Sequence, residues 1–296
     1  MRCRGHATSM LRAEIGASMY LSVVIPAYNE ELRIGQTLRV IRAYLQQQPF
    51  TAEILVVDDG SQDGTAATVN AFAAALPPIR LLRNGRNRGK GFSVRQGFLH
   101  AEGEYLLFSD ADLSTPIEEV EKLLVALCEP CDIAIGSRAL PESRVEVHQP
   151  RYREYLGRLF NRCVQTFAVP GIQDTQCGFK CFRRETALAI CDRMTAEGFG
   201  FDVEMLYLAR RLGYRVREVP VVWRNSPQSR VRMWQDPVSM LGDLWRIRWN
   251  GLRGRYDRPP PLAAPCSYRT SGALMPDRTS SAKGIDRVGE KLGDEP

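Results

Sequence analysis

The sequence predicts an α/β fold: a mainly parallel sheet with helices on both faces. Three observations carry that expectation. Short apolar strands alternate with amphipathic helices from Leu21 to Gly136, as in successive strand–crossover–strand units. Polar clusters follow several of the strands directly, where open α/β sheets bind ligands. No apolar run approaches the roughly 20 residues of a membrane span.

Leu21–Pro26 is a short apolar strand, followed by a helix from about Glu30 to Gln47 with Leu32, Leu38, Ile41 and Leu45 at helical spacing. Ile54–Asp58 is the second strand. Ser61–Thr65 turns into an Ala-rich helix reaching about Leu76. Ile79–Leu82 is the third strand, and a helix from Lys90 to Ala101 leads to the fourth, Tyr105–Phe108. The next helix begins with Thr115 as N-cap, Pro116 at the first helical position and Glu118 completing a capping box. Ile133–Gly136 is the strand after it. Beyond Ser137 the pattern loosens: residues 139–150 read as a loop, Tyr152–Ala168 as helix and Thr175–Arg183 as strand. Val203–Leu212 reads as helix, Val216–Trp223 as the last strand and Pro237–Arg253 as helix. Residues 1–19 read as an N-terminal extension, with Met19 an alternative start. Residues 257–296, with Pro259-Pro260-Pro261 and no periodicity, read as a disordered tail.

The first 19 residues lack the continuous apolar core of a secretory signal. Eight cysteines lie scattered, without a second pair at zinc-site spacing or a secreted framework, and read as free thiols of a cytoplasmic protein. The formal charge of +6 is concentrated: residues 205–256 hold eleven Arg against Glu218, Asp236 and Asp243. Such a basic face suits nucleic acid or an anionic membrane.

Asp110-Ala111-Asp112 closes the fourth strand. An i, i+2 pair on extended chain places both carboxylates on one face, where they suit a hard divalent cation that also takes phosphate oxygens; a solvated acidic turn is the alternative. Pro26-Ala27-Tyr28-Asn29-Glu30 and Asp58-Asp59-Gly60-Ser61 end the first and second strands. Tyr28 can cover a base and Asp59 can accept a ring N–H, while Glu30 also suits a helix N-terminus. Asn87-Arg88-Gly89-Lys90-Gly91 opens a helix: its glycines let backbone approach a phosphate and Lys90 supplies a cation. The spacing is not that of a Walker loop, and no dinucleotide glycine fingerprint follows the first strand.

Taken as an ordered set, these pieces resemble glycosyltransferase family 2. They are Val24–Glu30, Val57–Thr65, Asn87–Gly91, Asp110–Pro116, Gly136-Ser137-Arg138 and Asp174–Lys180, within residues 20–250. The likeness is to the polyprenyl-phosphate (dolichyl-phosphate) glucosyltransferase branch, with the mannosyltransferases next. The resemblance implies a Rossmann-like GT-A domain over 20–230 and a nucleotide-sugar donor. It also implies inverting, metal-dependent transfer to a lipid phosphate. It places Pro26, Ala27, Tyr28, Glu30, Asp58, Asp59, Lys90 and Asp110 around the nucleotide sugar. Asp110 and Asp112 hold Mg²⁺ or Mn²⁺. Arg138 and Arg153 meet the acceptor phosphate, and Asp112, Arg138 and Asp174 serve catalysis. Asp174 either orients the acceptor or assists proton transfer; a cap or a pair with Lys180 is the structural alternative. The mannosyl branch carries a Ser near the position of Gly157, a departure that favours the glucosyl branch.

None of the three histidines, His6, His100 and His148, lies in a motif. A sugar hydroxyl acceptor would call for a general base, whereas a lipid phosphate is already anionic and needs positioning and neutralisation. Residues 231–256 read as an amphipathic, basic, Trp-rich helix. Val238, Leu241, Leu244, Trp245, Trp249 and Leu252 lie on one side, and Asp243, Arg246, Asn250 and Arg253 on the other. Such a helix either packs on the core or lies in a membrane interface; with no nucleic-acid motif present, the basic face reads as lipid-directed. The expectation is a glucosyltransferase using UDP-glucose and a polyprenyl phosphate, peripheral on the inner face of the membrane, whose product a downstream membrane glycosyltransferase consumes. A GDP-mannose-dependent mannosyltransferase is the alternative within the fold, and a non-catalytic, membrane-docked nucleotide-sugar-binding protein the alternative outside catalysis.

Overall fold

The computed structural model describes residues 19–72, 77–147, 157, 161–224 and 235–257. The expected extension and the expected tail lie, but for Met19 and Asp257, outside these residues. So do Arg153 and Trp234. The strands are β1 (Leu21–Ala27), β2 (Ala52–Asp58), β3 (Ile79–Arg83), β4 (Tyr105–Ser109), β5 (Ile133–Ser137), β6 (Arg144–Val147), β7 (Phe179–Arg183), β8 (Val216–Pro220) and β9 (Val222–Arg224). The helices are α1 (Glu31–Leu45), α2 (Thr65–Asn70), α3 (Lys90–His100), α4 (Val120–Cys128), α5 (Arg184–Cys191), α6 (Phe201–Arg211) and α7 (Gln235–Leu252). Gly157 and residues 161–167 are also helical.

Seven strands form one sheet in the order β3-β2-β1-β4-β7-β5-β8. All neighbours are parallel except β7, which runs antiparallel to both β4 and β5. The sheet is thus mainly parallel, as expected, with one inserted strand that breaks the alternation. Successive residues face opposite sides of a strand, so each central strand supplies two cores. Val24, Leu55, Val57 and Phe108 pack with α3, α5, α6 and α7, while Val23, Ile25, Ile54, Val56 and Leu107 pack with α1 and α4. Strands buried on both faces read as continuous apolar runs for this reason.

Several local expectations are corrected. Leu32 is 92% exposed; the buried stripe of α1 is Ile34, Leu38, Ile41 and Leu45, and Leu32 sits two residues, some 200° of helical turn, from Ile34. Thr115 does not cap a helix. Pro116 is extended (φ −56°, ψ 144°), a 3₁₀ turn spans Ile117–Glu119 before α4, and the Thr115 hydroxyl lies 3.9 Å from the Cys177 sulfur. The loop expected over 139–150 contains β6, which pairs parallel with β9. The single strand expected over Val216–Trp223 is two: Pro220 ends β8, and the chain leaves the main sheet to join β6. The strand expected from Thr175 starts only at Phe179, because the residues before it build the site. The described helix α2 ends at Asn70, and residues 73–76 lie outside the described set.

One core feature is electrostatic. Lys180 on β7 is fully buried; its ammonium donates to the Asp202 carboxylate at the start of α6 and to the Cys177 carbonyl oxygen at 2.6 Å. Burial drives the Asp202 carboxyl upward, with Lys180 and Lys90 opposing it. Removing one partner strands a charge in the core. Lys180→Met is expected to cost about 3 kcal/mol in urea unfolding, and Lys180→Met/Asp202→Leu to recover most of it. A single variant as stable as wild type would contradict this account.

Candidate active site

The C-terminal ends of β2, β1 and β4 lie side by side, and the loops after them interlock through hydrogen bonds. After β1, Asn29 takes a left-handed conformation (φ 52°); its amide donates to Ser61 Oγ (2.8 Å) and its side-chain oxygen accepts from the Gln62 amide (2.8 Å). The Glu30 amide donates to Thr65 Oγ1 (2.7 Å), the Glu31 amide donates to Asp63 Oδ2 (3.2 Å), and the Glu31 carboxylate accepts from the Gly64 amide (3.0 Å). Tyr28, just beyond β1, is partly exposed and follows Pro26 and Ala27 of that strand.

The acid pair after β2 organises backbone. Asp58 is fully buried; it accepts from the Ser61 amide (2.9 Å) and from Arg83 Nε (3.1 Å). Asp59 accepts from Asn84 Nδ2 (2.7 Å), the Arg88 amide (3.0 Å) and the Gly89 amide (2.7 Å). Three of about four acceptor positions on the Asp59 carboxylate are therefore taken by the loop that opens α3. The glycines of that loop are also demanded by the protein's own packing. A Cβ on Gly89 (φ 111°) would strike the Glu197 carbonyl, and one on Gly91 would strike Phe201 and Ala196. The Phe92 amide donates to that Glu197 carbonyl (3.1 Å), and Arg88 pairs with the Glu197 side chain. Segment 195–200 thus covers the first turn of α3.

Lys90 Nζ lies 2.6 Å from Asp110 Oδ1 and within 6 Å of the Phe108 and Phe201 ring centres. Burial by itself would lower this ammonium; Asp110, with Asp202 behind it, outweighs burial and holds it above its ordinary value. Asp110 and Asp112 stand just past β4 in a turn rather than within the strand, so the turn, not strand alternation, brings them together. The Ser114 amide donates to Asp112 Oδ1 (3.0 Å). Burial and then the neighbouring Asp110 push the Asp112 carboxyl upward. Gly178 leaves the room Asp110 occupies, since a Cβ there would collide with its carboxylate, and the Asp110 amide donates to the Gly178 carbonyl (3.1 Å). Two close carboxylates in a fitted recess suit a hard divalent cation. Among the described residues no group of three or more His, Cys, Asp or Glu gathers to hold a metal ion.

Glu30 begins α1 without capping it; its carboxylate is bound by Arg33 through Nε and Nη2. Arg33 escaped the sequence reading. The Glu30 hydrogen bond raises it, against burial, and Asp112 and Asp110 add to the rise. Its only signal was the i, i+3 spacing from Glu30 in a first helical turn.

Arg138 and Asp174 come together from 36 residues apart. Asp174 Oδ2 accepts from the Arg138 amide (2.9 Å) and Nε (2.7 Å), and Oδ1 from Nη2 (2.8 Å). Asp174 therefore pairs with Arg138, not with Lys180, whose partner is Asp202. Burial would raise the Asp174 carboxyl, but Arg138 prevails and holds it below the usual range. An acid so committed is a poor proton acceptor. Against burial, Asp174 above all, and Asp110 to a lesser degree, hold the Arg138 guanidinium above its ordinary value. Burial pushes the nearby Cys177 thiol up to about 11, which leaves it protonated at neutral pH. Arg153 lies outside the described residues; Gly157 is helical and exposed, and a Cβ added there would meet no described atom within 4 Å.

A depressed carboxyl stabilises the fold above its unfolded pKa and loses that contribution as pH falls through the folded value. Asp174→Asn is therefore expected to flatten the acid limb of stability, read as urea midpoints from about pH 7 to pH 2. An acid limb matching wild type would refute this.

The Glycosyl transferase family 2 profile matches residues 22–188. A dolichyl-phosphate beta-glucosyltransferase of Dictyostelium discoideum is 38% identical over 249 residues, covering 80% of this chain and 76% of that protein. One of Drosophila melanogaster is 40% identical over 247 residues, covering 79% and 76%. Among solved structures, Mycobacterium tuberculosis glucosyl-3-phosphoglycerate synthase in complex with uridine diphosphate superposes with a TM-score of 0.58 at 20% identity, covering 78% of this chain and 80% of that one. The same synthase with Mn²⁺, UDP-glucose and glycerol 3-phosphate gives 0.53 at 20% identity, covering 82% of each chain. The sheet order, the interlocked loops after β1, β2 and β4 and these matches agree: the fold is GT-A, and the chain belongs to glycosyltransferase family 2.

Proposed function

We propose that this chain transfers glucose from UDP-glucose to the phosphate of a dolichyl-type polyprenyl lipid, with inversion at the anomeric carbon. One observation carries the reading. A close carboxylate pair, Asp110 and Asp112, shares a sheet edge with an arginine already fixed by its own acid, Arg138 on Asp174. The names of the relatives support the acceptor, and the ligands of the structural neighbour support donor and metal.

The acceptor phosphate is anionic, so its oxygen can attack the anomeric carbon without a base. That suits a site whose best-placed acid, Asp174, is bound to Arg138. Tyr28, beside Pro26 and Ala27, covers the base. Asp59 shapes the 84–89 loop beside it, Asp58 holds the preceding turn, and Glu30 steadies Arg33. Mg²⁺ or Mn²⁺ on Asp110 and Asp112 would neutralise the departing nucleoside diphosphate. Lys90 pairs with Asp110, and Arg33 partly offsets the rise that burial imposes on Asp112. Arg138 takes the acceptor phosphate, a role for which a guanidinium is better suited than an ammonium.

The lipid acceptor requires a membrane surface. Among the described residues no helix is long and apolar enough to cross one. The described part of α7 has two faces. Leu244, Ile247 and Asn250 are buried, whereas Trp245 is 66% exposed, Leu252 71%, and Trp249 stacks on Trp245 at 5.0 Å. The sequence had set Leu244 with the tryptophans and Asn250 with the polar side; both turn inward, because α6 and the 195–200 segment cover that arc. Arg253 lies 4.5 Å over the Trp249 ring. Core packing and interfacial docking are thus met by opposite faces of one helix.

Two outcomes are expected. In a panel of UDP-glucose, UDP-galactose, UDP-N-acetylglucosamine and GDP-mannose with a short polyprenyl phosphate and Mg²⁺ or Mn²⁺, UDP-glucose gives the product. Asp112→Asn keeps the thermal midpoint but loses transfer by about a hundredfold or more. Turnover from GDP-mannose alone would move the chain to the mannosyl alternative, and metal-independent turnover would remove the cation from the reading. In flotation, Trp245→Ser/Trp249→Ser should release the protein from vesicles containing anionic lipid, while wild-type binding weakens as salt rises. Unchanged flotation would mean that these tryptophans do not dock the enzyme.

A further inference from the structure

Arg138 is held from three sides, and two of its supports come from strands the sequence did not connect to it. The Asp174 carboxylate takes Nε, Nη2 and the backbone amide. Asp174 is itself held in place: Glu218 on β8 accepts the Gln173 amide with one oxygen (2.8 Å) and the Asp174 amide with the other (2.9 Å). A carboxylate bound to two successive amides fixes the peptide between them, and so the direction of the Asp174 side chain. Trp223 on β9, largely buried, lies with its ring 5.3 Å from the guanidinium carbon, within cation–π reach. β8 pairs in register with β5, which ends at Ser137, one residue before Arg138. The consecutive strands β8 and β9 therefore carry one support each to the arginine.

The consequence is chemical. With Nε and one hydrogen of Nη2 turned onto Asp174, the side-on edge of the guanidinium is taken, and the end-on edge formed by Nη1 and the second Nη2 hydrogen is left. Nη1 has no partner among the described residues, and the side chain remains 30% exposed. An arginine free to offer its fork would engage two phosphate oxygens at once. One held in this way keeps only its end-on edge for a phosphate, in a direction set by the Asp174 pairing. We infer that Glu218 and Trp223 are positioning residues for the acceptor phosphate: acting through Asp174 and on the ring face, they present the end-on edge of Arg138 to it. The inference rests on the assignment of Arg138 to the acceptor phosphate given above.

The test is steady-state kinetics with UDP-glucose saturating and a short polyprenyl phosphate varied, then the reverse. It covers wild type, Arg138→Ala, Glu218→Gln, the double variant, Trp223→Phe and Trp223→Leu. Arg138→Ala should raise the acceptor KM about a hundredfold, as loss of a charged phosphate partner does. Glu218→Gln, which gives up one of two amide bonds, should raise it about tenfold and leave the donor KM within about twofold. In the Arg138→Ala background Glu218→Gln should add nothing further, because its effect passes through the arginine. Trp223→Phe, which keeps a ring face, should stay near wild type, and Trp223→Leu should not. An unchanged acceptor KM in Glu218→Gln and Trp223→Leu, alongside a raised one in Arg138→Ala, would overturn the inference and leave the arginine's assignment standing. Full additivity in the double variant, or equal shifts in donor and acceptor KM, would also overturn it. If Arg138→Ala instead raised only the donor KM, the assignment itself would fall. Should Glu218→Gln not fold, the Trp223 pair decides.

Discussion

The antiparallel insertion of β7 between β4 and β5 is the constraint on which the site depends. Its register sets Lys180 opposite Phe108 and Phe179 opposite Ser109. The chain entering β7 must then pass the end of β4, and that brings Gly178 against Asp110 and Asp174 within reach of Arg138 at the end of β5. Were β7 parallel, its entry would lie at the opposite edge of the sheet, and neither contact could form. The buried Lys180 secures the strand from inside, through Asp202 on one side and the Cys177 carbonyl on the other.

Around that constraint the acids at the sheet edge are each bound by a donor from elsewhere in the chain. Asp58 and Asp59 hold loops, Glu30 holds Arg33, Asp174 holds Arg138, and Asp110 is paired with Lys90. Asp112 is the member with the least compensation: burial and Asp110 both act to protonate it, and the Ser114 bonds and Arg33 only partly offset them. An acid so placed gains most from a cation, which is the electrostatic reason to put the metal there.

The C-terminal helix belongs to the same construction. Glu204 on α6, fully buried, accepts from the Thr195 amide (2.9 Å), the Thr195 hydroxyl (2.6 Å), the Ala196 amide (2.7 Å) and the Tyr256 hydroxyl (2.7 Å). Gly200 leaves space for Asp243 of α7, and Asn250 reaches Thr195. The segment that covers the first turn of α3 is thus anchored to the helix that carries the exposed tryptophans, and the surface that would meet lipid is rigidly tied to the loop beside Lys90.

The alternation of strands and helices, the residues after β1, β2 and β4 and their family were legible from the residues alone, because apolar periodicity and local turn chemistry act over a few neighbours. So was the basic, Trp-bearing face of α7. Local pattern could not reveal which way β7 runs, that β9 leaves the sheet for β6, or that Leu32 faces water and Asn250 does not. Nor could it assign partners. Asp174 with Arg138, Lys180 with Asp202, Lys90 with Asp110 and Glu218 with the Gln173–Asp174 amides join residues from 20 to 45 positions apart. The type of each residue announces that it must be paired if buried. Which partner it finds is decided only when the strands take their order, since an ion pair depends on a separation of a few ångströms that no spacing along the chain encodes.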